Sequence, residues 1–202
     1  MEDVYDGFIS RHVNRRVSRP LARLLSHTPV TPNQVTIMSL GVALAGFFSF
    51  VYGYYVFGAL LAQASSIVDG VDGDLARIKK QTSAFGGFLD SVVDRYADAL
   101  IILGLTIWAV GDGPDMTVWL AGFWALAGSF GVTYTRARIE NAPRTVFDRG
   151  ITSAATRDVR LFIVMVGALT GRGLVTLMVL ASLTNVVVLL RLVHARRVMQ
   201  GA

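Results

Sequence analysis

The chain has 202 residues, 53% of them hydrophobic and 16% charged, with no cysteine and a formal net charge of +5; its mean hydropathy is +0.53. A soluble domain of this length carries about a quarter of charged residues, so this composition points away from one. The lack of cysteine excludes disulfides, thiolate metal sites and cysteine nucleophiles.

Residues 1–27 read as an amphipathic helix lying on a membrane. Val4, Phe8, Val13, Val17, Leu21, Leu24 and Leu25 recur at near-helical spacing, and Arg11, Arg15, Arg19 and Arg23 occupy another face, suited to anionic head groups. No apolar run typical of a signal peptide interrupts this charged segment. In "SHTPVTPN", Ser26 to Asn33, the two prolines end that helix, and Thr31 is placed to cap the next with Pro32 at its first position. The first span then runs to about Tyr52, and Gly53 marks a short outer turn. A second helix, from near Tyr55 to about Lys80, passes through an acidic segment to a turn at Gln81 to Ala84. The third runs from about Phe85 to Val110 and ends at Gly111-Asp112-Gly113-Pro114; the fourth covers about Met116 to Glu140. A polar, arginine-rich stretch follows, Asn141 to Arg160, before a fifth and a sixth span that meet at Gly171-Arg172-Gly173.

A bilayer core of roughly 30 Å needs about twenty apolar residues per helix. The windows Val35–Phe57, Met116–Thr135 and Leu174–Leu190 approach or exceed that length. Gly58–Val68, Ala97–Val110 and Leu161–Leu169 reach it only through flanking charged residues. The expected fold is all-α: an integral membrane bundle of six transmembrane helices (residues 28–202) preceded by the interfacial helix, with no repeat and no second domain. In that arrangement every lysine and arginine except Arg172 falls on one side, which places both termini in the cytoplasm, at the cell membrane. The same asymmetry explains the basic balance without nucleic acid.

The informative stretch is "VDGVDGDLARIKKQTSAFGGFLDSVVDR", Val68 to Arg95. Asp69, Asp72, Gly73, Ala76 and Arg77 form one helical stripe, and Gly86, Asp90, Asp94 and Asp98 form another on the next helix. Carboxylates gathered near hydrocarbon repel each other and lose hydration. A hard divalent cation, Mg²⁺ or Mn²⁺, resolves both problems, and four carboxylates suffice for two ions. Such ions share their coordination with phosphate oxygens, so a pyrophosphate-like substrate is expected, with Arg77 able to pair with its charge. Gly73, Ala76, Gly86 and Gly87 leave room for a bulky ligand. Asp74 falls off the stripe, Lys79 and Lys80 read as solvated or lipid-facing, and Asp98 suits either an acceptor hydroxyl or a buried ion pair with an arginine.

Asp69-x2-Asp72-Gly73-x2-Ala76-Arg77-x8-Gly86-x3-Asp90-x3-Asp94 resembles the complete signature of the CDP-alcohol phosphotransferases. The resemblance implies transfer of a substituted phosphate from a CDP-linked donor to an alcohol, with release of CMP. It implies metal binding by Asp69, Asp72 and Asp90, two ions per site, with Asp94 as general base and a further metal contact. Gly73, Ala76, Arg77 and Gly86 would lie against the donor. A homodimer is also implied, for which Gly104, Ala121, Gly122, Ala125, Ala127 and Gly128 offer a small-residue contact.

The acceptor should sit beside Asp94, where arginines crowd. Arg136 and Arg138 in "YTRARIE", Arg157 and Arg160 in "RDVR", and Arg191 in "LLRLV" lie at helix ends, while Arg144 and Arg149 lie between them. Converging arginines suit a phosphorylated alcohol, because the guanidinium fork binds phosphate in a bidentate manner. These segments resemble the branch of the family that uses inositol phosphate, with CDP-diacylglycerol or CDP-inositol as donor. The leader "SRHVNRRVSRPLARLL" with "TPNQVT" is closer to the CDP-inositol type, in which a cytidylyltransferase is often fused to the membrane domain. Glycerol phosphate, as in phosphatidylglycerol-phosphate synthases, is the alternative acceptor. Two other classes fit less well. A polyprenyl transferase separates its acidic motifs widely, whereas a single turn lies between Asp72 and Asp90. An ion transporter needs polar residues across the bilayer, and the outer halves of these helices are apolar.

Overall fold

The computed structural model describes residues 14–111, 113, 115–139 and 155–200. Among them are seven helices and no strand: α1 (Arg15–Ser26), α2 (Pro32–Val51), α3 (Tyr55–Ile78), α4 (Ala84–Val110), α5 (Met116–Ile139), α6 (Arg157–Leu169) and α7 (Gly173–Gln200). Three of them, α2, α5 and α7, are long and apolar enough to cross a membrane. The acidic clusters dilute α3 and α4, and α6 has only 13 residues.

Helix starts follow side-chain chemistry. Thr31 caps α2: its hydroxyl accepts from Gln34 N, the Gln34 side chain accepts from Thr31 N at 2.9 Å, and Pro32 follows. Ser83 caps α4, its hydroxyl accepting from Gly86 N at 3.0 Å. Gly53, Gly111 and Gly171, with φ of +82°, +63° and +71°, turn the chain beyond α2, α4 and α6.

The core joins six helices around Phe50, Ala59, Ala62, Ile101, Leu105, Val164, Leu177 and Leu180. Helix α2 packs along both α3 and α4, α5 packs on α7, and α6 packs on α3. Gly104 permits the α2–α4 approach, since a Cβ there would stand 3.1 Å from Phe47 Cα. Five of the six small residues read as a dimer contact, all but Ala127, pack within the chain. Ala121 and Ala125 are core residues, and a Cβ on Gly122 or Gly128 would collide with Thr106 or Thr184. Outward-facing Met38, Phe57, Phe123 and Leu189 form an exposed apolar surface suited to lipid rather than water.

Helix α1 docks on α3 largely through residues that neither sequence stripe marks, joined by Arg15 and Leu25. Asn14, Ser18 and Ala22 are buried. Asn14 donates to Ser66 Oγ at 3.0 Å and accepts from Gln63 Nε2 at 2.7 Å. Ala22 packs with Val35, Val71 and Leu75, while Val17, Leu21 and Leu24 remain exposed. Lys79, expected to be solvated, donates instead to the carbonyls of Thr28 and Val30 at 2.6 and 2.7 Å. It thereby fixes the link between α1 and α2. The remainder of the predicted leader, together with Arg144 and Arg149, lies outside the described residues.

Candidate active site

The two acidic stripes meet where α3 and α4 diverge. Oxygen atoms of Asp69, Asp72 and Asp90 come within 4.8 Å of one another. The sharp turn at residues 79–83 brings α4 back beside the end of α3, while the start of α2 closes one side of the gap. The result is a pocket of about 210 Å³. Pro32, Asn33 and Thr36 of α2 line it opposite Asp72, Gly73, Ala76 and Arg77 of α3, and Gly86, Gly87 and Asp90 of α4 complete the wall. At Gly86 a Cβ would stand 3.1 Å from Ser83 Oγ and 3.3 Å from Asn33 Oδ1, so only glycine leaves this corner open.

The donor set fits a hard divalent cation. All the converging atoms are carboxylate oxygens, and Asp69 Oδ1 is buried with no hydrogen-bond partner. Among the described residues no lysine or arginine lies within ion-pair distance of Asp72 or Asp90. Asp72 Oδ2 accepts from the Thr36 hydroxyl at 2.5 Å, which orients the carboxylate. Thr36 carried no assignment in the sequence reading, although its place one turn after Pro32 and Asn33 puts all three on one face.

Asp94 is not among the three converging carboxylates. It lies one turn beyond Asp90, where its Oδ1 is 3.0 Å from Arg157 Nη1 and its Oδ2 is 3.2 Å from Arg95 Nη2. Arg157 Nη1 also reaches Asp69 Oδ2 at 2.7 Å, and Arg157 Nε reaches Asp98 Oδ1 at 3.2 Å. One guanidinium at the start of α6 thus ties together carboxylates from α3 and α4. Asp98 is buried and also accepts from Arg160 Nη2 at 2.5 Å. Of its two sequence readings, the structure shows the buried ion pair. The counter-charge for Asp69, Asp94 and Asp98 therefore comes from α6, a helix remote in sequence from both stripes.

The expected acceptor arginines divide into two groups. Arg160 is buried, with Nη1 donating to Ala155 O at 2.7 Å, and Arg191 is buried with Nη1 donating to Val132 O at 2.5 Å. Both tie helices together. Arg136 and Arg138 are exposed near the end of α5, with the Arg138 guanidinium 5.9 Å from the Tyr134 ring centroid. Arg157 stands between the groups, partly buried against the carboxylates.

A profile of the CDP-alcohol phosphatidyltransferase family matches residues 29–195. The chain belongs to that family. Over 192 residues it is 43% identical to the "bifunctional IPC transferase and DIPP synthase" of Rubrobacter xylanophilus, covering 95% of this chain and 43% of that protein. The chain thus spans less than half the length of the bifunctional relatives it matches. Its fold is similar to the crystal structure of Mycobacterium tuberculosis phosphatidylinositol phosphate synthase with CDP-DAG bound, at a TM-score of 0.75 and 29% identity, covering 88% of this chain and 92% of that one. The same synthase in complex with manganese and citrate gives a TM-score of 0.72 at 25% identity, covering 88% of each chain. Family and apolar helices together make this a membrane protein.

Proposed function

We propose that the chain transfers a substituted phosphate from a CDP-linked donor to a hydroxyl of an inositol phosphate, releasing CMP. The observation that carries this reading is the convergence of the Asp69, Asp72 and Asp90 carboxylates, two of them in the wall of a pocket that Gly73, Ala76, Arg77, Gly86 and Gly87 also line. Asp69, Asp72 and Asp90, with Asp94 as the further contact, would hold two Mg²⁺ or Mn²⁺ ions, which would supply charge neutralisation for the donor's pyrophosphate. The chain's own residues do the rest. Gly73, Ala76 and Gly86 leave a wall against which the nucleotide can lie, and Arg77 adds positive charge for its phosphates. Asp94, held by Arg157 and Arg95, takes the proton of the attacking hydroxyl. We assign recognition of the acceptor phosphate to Arg157, Arg136 and Arg138, while Arg160 and Arg191 hold the helices that present them.

CDP-inositol is the donor we favour, supported by the 43% identity to a protein described as a DIPP synthase. A lipid donor is the second reading, supported by the similar synthase structure with CDP-DAG bound. With CDP-inositol as donor, a cytidylyltransferase, fused or separate, has to supply it. Six helices, α2 to α7, span the membrane in this reading, α1 lies on it, the site faces the cytoplasm and the enzyme is a homodimer.

Mass spectrometry of products formed with Mg²⁺ from each donor and either inositol phosphate or glycerol phosphate tests the assignment. A phosphorylated di-inositol phosphodiester is expected. An inositol-phosphate lipid supports the second reading, and products from glycerol phosphate alone overturn the acceptor.

A further inference from the structure

Asp74 sits beside the pocket yet belongs to no part of the proposed chemistry. It is buried at the α1–α3 contact, and three groups share it. Its Oδ1 is 2.8 Å from Arg15 Nη1 and 2.6 Å from Arg77 Nη2, and its Oδ2 accepts from the Ser18 hydroxyl at 3.0 Å. Arg15 and Ser18 belong to α1, whereas Arg77 lines the pocket. The Arg77 guanidinium lies over Gly73, where a Cβ would stand 3.9 Å from both Nη1 and Nη2.

We infer that Arg15, acting through Asp74, is a positioning residue for Arg77 and so for donor binding. Arg15 and Ser18 fix the Asp74 carboxylate from α1, and the fixed carboxylate in turn sets where the Arg77 guanidinium stands. Asp74 also holds a long side chain, 49% exposed, over the pocket floor, which removes rotamer freedom that donor binding would otherwise have to remove. Docking of α1 on α3 and the donor affinity of the pocket are therefore coupled, although no residue of α1 lines the pocket.

The inference rests on the pocket being the donor site. Full-length Arg15→Gln, Arg15→Lys and Asp74→Asn proteins are compared with wild type for binding of CDP in Mg²⁺ by titration calorimetry, and for donor KM and kcat. Arg15→Gln should weaken CDP binding and raise donor KM about three- to tenfold, with kcat within twofold and an unchanged melting temperature. Arg15→Lys, which keeps the charge, should restore most of the loss, and Asp74→Asn should match Arg15→Gln or exceed it. If Arg15→Gln binds CDP like wild type, or loses kcat and melting temperature at unchanged KM, the residue is only structural and the inference fails. Should Asp74→Asn not fold, the Arg15 pair decides alone. Absence of turnover by a wild type that binds CDP overturns the proposed reaction but leaves the titration to judge the coupling. Absence of CDP binding by wild type overturns both.

Discussion

Asp72 and Thr36 show how much of this site depends on a neighbour of each carboxylate. The Thr36 hydroxyl fixes one oxygen of Asp72, so Thr36→Val should weaken Mn²⁺ binding about tenfold, read by electron paramagnetic resonance, without altering the fold. Asp90→Asn should abolish that binding, whereas Asp74→Asn should keep it. Asp98 behaves differently. Its loss leaves Arg160 buried and unpaired, so Asp98→Asn should cost about 3–5 kcal/mol of stability in detergent unfolding. At this scale the sequence reveals the aspartates themselves, because a period of three or four aligns Asp69 with Asp72 and Asp90 with Asp94. It does not reveal that Arg157 and Arg160, about sixty residues downstream of Asp98, provide the counter-charge. That pairing is created only when α6 packs against α3 and α4.

Helix boundaries were legible because each carries its own chemical signal. Thr31-Pro32 opens α2, Ser83 opens α4, and Gly111 and Gly171 close α4 and α6. The contacts between helices were less legible. Gly104, Gly122 and Gly128 read as a dimer surface, yet they are the points where helices of one chain approach each other. Small residues signal close packing without naming the partner. Gly104→Ala should therefore destabilise the folded chain by about 1–3 kcal/mol, because Phe47 meets the new methyl group with backbone atoms that cannot turn aside. A melting temperature equal to wild type would contradict this packing. Helix α1 carries a similar lesson. Its apolar stripe is obvious in sequence, but beside Arg15 of the basic face it docks through Asn14, Ser18 and Ala22, small and polar residues that no amphipathic pattern selects.

For the molecule as a whole, the positions of the charges imply an orientation. The proposed orientation puts the turns at Gly53, Gly113 and Arg172 on the outside, and the pocket with both termini on the inside. The cysteine-free chain is suited to a direct check. Gly113→Cys should react with a membrane-impermeant maleimide on intact cells, and Lys80→Cys only after permeabilisation. Labelling of both without permeabilisation would refute the orientation.

The central claim is that a pocket between α2, α3 and α4 releases CMP from a CDP-linked donor, with Asp94 as base. The most direct measurement is CMP release by the purified protein in Mg²⁺, comparing CDP-inositol with CDP-diacylglycerol, each with inositol phosphate or glycerol phosphate, beside an Asp94→Asn control. The account expects release with an inositol phosphate acceptor and a loss of at least about a hundredfold in the control. Release in no pairing, or a control as active as wild type, would contradict it.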